Sequence, residues 1–396
     1  MLYEDDLIRS YSYTPKAWRQ IHETQECDAF WSMEADMIYQ TLTARFRTVP
    51  FREYLKRYLY EKTGMYRPFG SVPMEEYAYI ITEAFRESGT PCSFEPGTTK
   101  MNQAVRNWLT RDRVSRETVL LMGFGLYMTA EDVNAFLTKA LHGPVLDPDD
   151  PAEAICHYCY AHGYRFQKFS QLHALYRAMG PQVDRDRVEA NQPLNRAQSR
   201  VVIEEDVRLL EKLLDARSRY GGSTPARLAR TEAFQKLYDQ ARNLLTSSEE
   251  GDFVRPRSLE RVLSAAIPVS AHGNLVPVVR AAYNAEFAQK RFSRQRIHRI
   301  QAGEQDPGRY DLLTLRFFLS SERQGMQEDR KAALKSFADE ADAMLTGLGF
   351  GALYPADPFD AFLILCMLTA DPLGTYSDVM EKAYSGKAPA QEETKK

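Results

Sequence analysis

Apolar residues recur at three- and four-residue spacing along most of the chain, as in FREYLKRYLY (51–60), MEEYAYIITEAF (74–85) and VRLLEKLLDARSRY (207–220). That spacing gathers them on one face of an α-helix, whereas a half-buried strand needs strict alternation, and alternating runs of useful length are hard to find. The pattern predicts an all-α fold. It breaks at GPQVDRDRVEANQP (180–193), GGSTP (221–225) and SSEEGDFVRPRS (247–258), where Gly, Pro and charges replace the periodicity. The last stretch, SGKAPAQEETKK (385–396), holds no apolar anchor and is expected to be disordered.

Two stretches repeat. FLTKALHGPVLDPDDPAEAICHYC (136–159) and MLTGLGFGALYPADPFDAFLILCM (344–367) share a Leu-Thr pair, a later Leu, and then Asp-Pro-x-acid-Ala at the start of an apolar helix. The last element has a clear physical role. Asp150 and Asp357 can cap free N–H groups, and Pro151 and Pro358 can take the first helical position without losing a bond. Glu153 and Asp360 then favour the positive helix end. Each stretch follows a matched segment, VSRETVLLMGFGL (114–126) and PGRYDLLTLRFFL (307–319). A duplicated module is the economical explanation. The expected organisation is an N-terminal helical segment (1–50), a first helical module (51–179), a helical connector (180–255), a second module (256–384) and the tail.

In the second module, VPVVRAAYNAEFAQKRFSRQRIHRIQAGEQDPGRYDLLTLRFFL (276–319) resembles the lambda-repressor/Cro-like helix-turn-helix. It offers a helix, a short turn, Ser293 as cap, a second helix ending at Ala302-Gly303, a loop closed by Pro307, and a further apolar helix. In that family the second helix of the motif enters the DNA major groove, so the resemblance implies two helix-turn-helix-derived modules. The first copy preserves less. KMNQAVRNWLTRDRVSRETVLLMGFGL (100–126) matches the second helix, loop and following helix, with Trp108 at the place of Ile300. Its turn is replaced by SGTPCSFEPGTT (88–99), whose prolines and glycines do not suit the compact family turn. The whole chain also resembles a set of bacterial proteins with this two-module layout, a likeness that carries no function.

The candidate nucleic-acid contact is QKRFSRQRIHRIQ (289–301), which is basic without a single acid. With Ser293 as N-cap, Ile297 and Ile300 mark the buried stripe and Gln295, His298 and Arg299 point away from it. Arg294 and Arg296 fall at the edges, with stems expected to cover apolar neighbours and heads to reach outward. Gln, His and Arg can hydrogen-bond base edges, while Lys290, Arg291 and the flanking arginines can meet phosphates. In the first copy the outward residues would be Gln103, Arg106 and Asn107. The plainer alternative is a solvated helix face, or one that packs on acidic segments such as IEEDVRLLEKLLDARSR (203–219).

Bulk charge adds a limit. Lys plus Arg number 51 against 54 Asp plus Glu, a net charge of −3, so nucleic-acid binding would have to be local. The start MLYEDDLIRS is acidic where a secretory signal would be basic and apolar, and the longest apolar run, AFLILCML (361–368), is too short to span a bilayer. A cytoplasmic location without membrane contact is expected. CHYCYAH (156–162) invites a zinc reading, but no second ligand pair stands nearby, so Cys156 and Cys159 are expected one turn apart on a helix, without metal. There is no phosphate-cradling loop, nucleophile elbow, His-Glu-x-x-His or dinucleotide fingerprint. The GFG fragments at 123–125 and 349–351 fit helix packing or helix ends better than phosphate binding. Neither catalysis nor a cofactor is expected. Two readings remain: a non-catalytic regulatory protein that contacts double-stranded DNA through its second module, or a helical scaffold for protein partners. In the scaffold, the aromatics Trp18, Phe30, Trp31 and Tyr39 or the charged connector would bind the partner.

Overall fold

Asp150 and Pro151 open a helix as their order predicts: the Asp150 carboxylate accepts from the N–H groups of Ala152 (3.1 Å) and Glu153 (3.2 Å). Asp357 does the same for Phe359 (2.9 Å) and Asp360 (3.2 Å) ahead of Pro358. These starts belong to a computed structural model that describes residues 50–88, 99–190, 196–221, 223–247, 294–324, 330–354 and 357–376. The expectations for 1–49, the Ser293 cap, Lys290, Arg291 and the tail lie outside the described residues.

The described residues are mostly helical, with no β-strand among them. The chain divides into two compact units: Pro50–Ala229 and, among the described residues, the stretch from Arg230 onward. The first holds α1 (Phe51–Thr63), α2 (Met74–Ser88), α3 (Thr99–Thr110), α4 (Arg116–Gly125), α5 (Ala130–Ala135) with a π turn (Phe136–Ala140), α6 (Pro151–Ala161), α7 (Phe166–Ala178), α8 (Arg185–Ala190) and α9 (Arg196–Tyr220). Helix α10 (Pro225–Ser247) begins in it. The second unit adds α11 (Arg294–Gln301), α12 (Arg309–Gln324), α13 (Arg330–Gly347) and α14 (Pro358–Met367). The expected connector is therefore shared. Its residues up to Ala229 go with the first unit and those from Arg230 to Ser247 with the second.

In the first unit, Phe136 sits among Phe51, Tyr54 and Tyr58 of α1, with ring centroids 6.0, 4.7 and 5.3 Å away. Trp108 of α3 is buried against Phe85 of α2 (5.4 Å). The connector closes over the repeat loop: Thr224 Oγ1 donates to Asp147 (2.6 Å) and Lys212 Nζ to the Pro148 carbonyl (2.9 Å). Gly123 and Gly125 lie in the last turn of α4, where bare backbone lets neighbouring rings approach. A Cβ on Gly125 would stand 2.0 Å from Cε2 of Phe85, and one on Gly123 would stand 2.6 Å from Cζ of Tyr160. This GFG is thus a packing element. Gly125→Ala is expected to destabilise the first unit by about 1–3 kcal/mol through overpacking, read from the urea midpoint. An unchanged midpoint would mean that Phe85 turns away freely.

The second unit has a core of Phe317, Phe318, Phe337, Phe350, Phe359 and Phe362, joined by Phe234, Leu237 and Tyr238 of α10. Helix α14, PFDAFLILCM, is apolar on nearly every side, and Phe359 through Met367 are all buried, as a helix without a polar face must be. No helix of the described residues is long and apolar enough to cross a membrane.

Each unit also ties the start of one helix to the start of another through an arginine. In the first, Arg116 donates to Glu153 through Nε (2.5 Å) and Nη2 (2.7 Å), and also to the carbonyls of Pro144 (2.7 Å) and Val145 (2.9 Å). Glu153 additionally accepts from Asp147 N–H (2.8 Å). In the second, Arg309 donates to both oxygens of Asp360 (2.7 and 2.6 Å) and to the carbonyls of Gly351 (3.3 Å) and Ala352 (3.0 Å), while Asp360 accepts from Tyr354 N–H (2.7 Å). Burial, with Asp360 close by, pushes the neighbouring Asp357 carboxyl above the ordinary carboxylate range, against the pull of Arg309.

Candidate nucleic-acid interface

The eight residues of α11 carry only two fully apolar anchors, Ile297 and Ile300, both buried as the periodicity predicts. The helix stops at Gly303, whose φ of +72° is left-handed. Glu304 N–H then reaches back to the Arg299 carbonyl (2.9 Å) and Gly303 N–H to that of Ile300 (3.0 Å), which satisfies the last turn. A loop through Pro307 leads into α12.

The predicted contact residues separate. Gln295, His298 and Arg299 are exposed. Arg294 is the first residue of the helix. Arg296 is a correction: its head does not reach outward. It is 8% exposed and forks onto Asp311 of α12, Nε to Oδ1 at 2.8 Å and Nη2 to Oδ2 at 2.5 Å. Asp311 is fully buried and also accepts from Gly308 N–H (2.7 Å), so one carboxylate closes the start of α12 and holds α11 to it. Arg296 therefore lies away from any phosphate at the surface. Sequence signal for this was present. Arg296 stands four residues before Ile300, about 40° from it around the helix, and an acid occupies the first turn of the next helix. Arg299 has a looser partner, Glu304 at 3.7 Å, with both side chains more than half exposed, so this pair contributes little.

In the first unit, Gln103 and Arg106 are exposed and Asn107 is half-buried on α3. Gln103 Nε2 donates to Asn107 Oδ1 (3.1 Å), an amide pair on the outward face. The arginine clamps were missed at sequence level, although Arg116 and Arg309 hold the third place in their matched segments. Only their carboxylate partners drew notice, as helix-start charges.

Elsewhere, Cys156 and Cys159 sit one turn apart on α6, both buried, as their spacing predicts. Burial raises both thiols, that of Cys159 to about 12, so neither is a ready thiolate. His162 turns from them toward the Tyr158 carbonyl (2.9 Å) and Glu205 (3.6 Å). Asp206 of α9, fully buried, accepts from Tyr158 Oη (3.0 Å) and pairs with Lys168, which lies 5.6 Å over the Tyr164 ring. Both of its oxygens are engaged, which makes it a packing pair rather than a poised base. Comparison with protein-family models, with curated proteins and with solved structures gave no match.

Proposed function

We propose that the protein is a cytoplasmic, non-catalytic regulator built from two copies of one helical module, and that its second module contacts double-stranded DNA through the outer face of α11. The duplication is supported by correspondences deeper than the shared motif. The Arg116–Glu153 and Arg309–Asp360 clamps reach equivalent carbonyls, Pro144 and Val145 in one and Gly351 and Ala352 in the other, although Nε and Nη1 exchange roles between the two. Their carboxylates accept from equivalent backbone N–H groups, those of Asp147 and Tyr354. Asn134 Oδ1 accepts from Leu146 N–H (2.8 Å) where Asp342 Oδ1 accepts from Leu353 N–H (2.6 Å). A left-handed residue follows in each, His142 in one and Gly349 in the other. Phe124 meets Phe169 (5.6 Å) as Phe317 meets Tyr376 (5.5 Å). The first copy has one more residue between the helix and the clamp loop, and its π turn at Phe136–Ala140 gives that residue room.

The observation that carries the DNA reading is the sorting of α11. Its apolar side chains and Arg296 face inward, and Gln295, His298 and Arg299 face outward together. These side-chain types suit base edges and phosphates. The test is binding of the purified protein to mixed-sequence duplex DNA across a salt series. Binding should weaken as salt rises, and Arg299→Ala should flatten the slope by about 0.9, one phosphate's share. Gln295→Ala or His298→Ala should instead relax preference at one base pair by about 1–3 kcal/mol. Absence of salt-sensitive binding at low ionic strength would overturn the reading. One observation favours the scaffold instead: with Arg296 inside and Arg299 beside Glu304, the described face of α11 has less positive charge than its sequence suggests, and a protein partner could cover it.

A further inference from the structure

The first unit carries a strip of positive charge that its own ion pairs do not consume. Helices α1 and α3 pack together, and at one end Phe51 N–H donates to the Asp112 carbonyl (2.9 Å) and Arg52 N–H to that of Arg111 (3.2 Å). The Arg52 side chain continues the seam to the Thr110 carbonyl (3.3 Å) and pairs with Asp112. Lys56 is one turn along α1 from Arg52. Arg106 is one turn back along α3 from Thr110, and Arg111 follows that residue. Arg106 and Arg111 are exposed and Lys56 is half-buried. The acids of the seam are already answered, Asp112 by Arg52 and Glu53 by Arg57 (2.7 Å). Among the described residues Lys56, Arg106 and Arg111 make no ion pair. On the same helix the exposed amide of Gln103 lies one turn before Arg106, and its partner, the half-buried amide of Asn107, directly follows Arg106.

We propose that this strip is a second DNA contact, in which Lys56, Arg106 and Arg111 meet the phosphates of a duplex. Charge complementarity selects the occupant. On a chain of net charge −3, three uncompensated cations along one helix seam suit a surface of regularly spaced anions, and phosphate contact needs no base recognition. The choice of nucleic acid as polyanion rests on the reading of α11, but the residues are entirely separate from it. The contact belongs to the backbone, so it sets affinity and salt dependence and leaves sequence preference alone.

The experiment compares the full chain with the triple variant Lys56→Gln, Arg106→Gln, Arg111→Gln on mixed-sequence duplex DNA across a salt series. The variant should bind more weakly to every sequence, with a salt slope flatter by about 2.7, three phosphates at about 0.9 each. Should the triple variant lose helical circular dichroism, Arg106→Gln alone, wholly at the surface, should still flatten the slope by about 0.9. An unchanged slope in the triple variant, alongside weakened binding by Arg299→Ala, overturns this proposal and leaves the α11 reading standing. A flattened slope in the triple variant with no effect from Arg299→Ala or Gln295→Ala supports this contact and removes that of α11. Wild-type protein that shows no salt-sensitive binding overturns both.

Discussion

Replacing Arg309 by alanine is expected to destabilise the second unit by about 3–5 kcal/mol, because the change strands a buried carboxylate. Asp360 is fully buried and the Arg309 side chain is 2% exposed. Burial alone would lower the guanidinium's affinity for its proton, but the adjacent Asp360 more than reverses this, so Arg309 keeps its charge. Without Arg309, Asp360 keeps a backbone N–H and loses two charge-assisted bonds, and the Gly351 and Ala352 carbonyls lose their donor. The matching change in the first unit, Arg116→Ala, should cost less, about 1–3 kcal/mol. There the side chains are 25% and 14% exposed, and water can replace the missing donors. Urea denaturation followed by hydrogen exchange at α4 and α12 amides would read the units separately. Equal costs would refute the burial argument. Exchange of the second pair for apolar residues, Arg309→Met with Asp360→Leu, should recover most of the loss, since a buried ion pair stabilises little over well-packed side chains.

The clamp shows what was legible in the sequence and what was not. Local chemistry was legible: Asp150, Pro151 and Glu153 state a helix start in consecutive residues, and Asp357, Pro358 and Asp360 state it again. The inward faces of α1, α2, α9 and α11 follow from three- and four-residue spacing, because a helix buries one stripe. Pairing across distant segments was not legible. Arg116 finds Glu153 and Arg309 finds Asp360 only after the intervening helices have packed, and no spacing rule covers that separation. The same limit hid the division of the connector, since its periodicity marks α9 and α10 as helices without saying which unit each one covers. At the candidate site, the wheel placed Ile297, Ile300, Gln295, His298 and Arg299 as the structure has them. It failed at Arg296, where charge type was allowed to override angular position.

Arg296→Ala is therefore expected to act on stability, with a loss of about 3–5 kcal/mol in the second unit, as for any buried charge deprived of its partner. A surface phosphate contact would instead leave stability nearly unchanged and weaken DNA binding. The first unit indicates how the loss can be repaired. Ala104 stands four residues before Trp108 as Arg296 stands four before Ile300, and Thr118 follows Arg116 by two as Asp311 follows Arg309. There a small side chain and a hydroxyl occupy the positions of the ion pair, in a unit whose Trp108 is still buried. The double change Arg296→Ala, Asp311→Thr removes both charges together, and should restore more than half of the single variant's loss in a double-mutant cycle. Thermal or urea unfolding of the wild type, both single variants and the double variant measures the coupling. If Arg296→Ala leaves the midpoint unchanged, the fork onto Asp311 is not made in solution and Arg296 returns to the outer face as a phosphate contact. If the loss is large and the double variant recovers it, Arg296 is a packing residue of α11, and any DNA contact falls to Gln295, His298, Arg299 and the basic residues ahead of them.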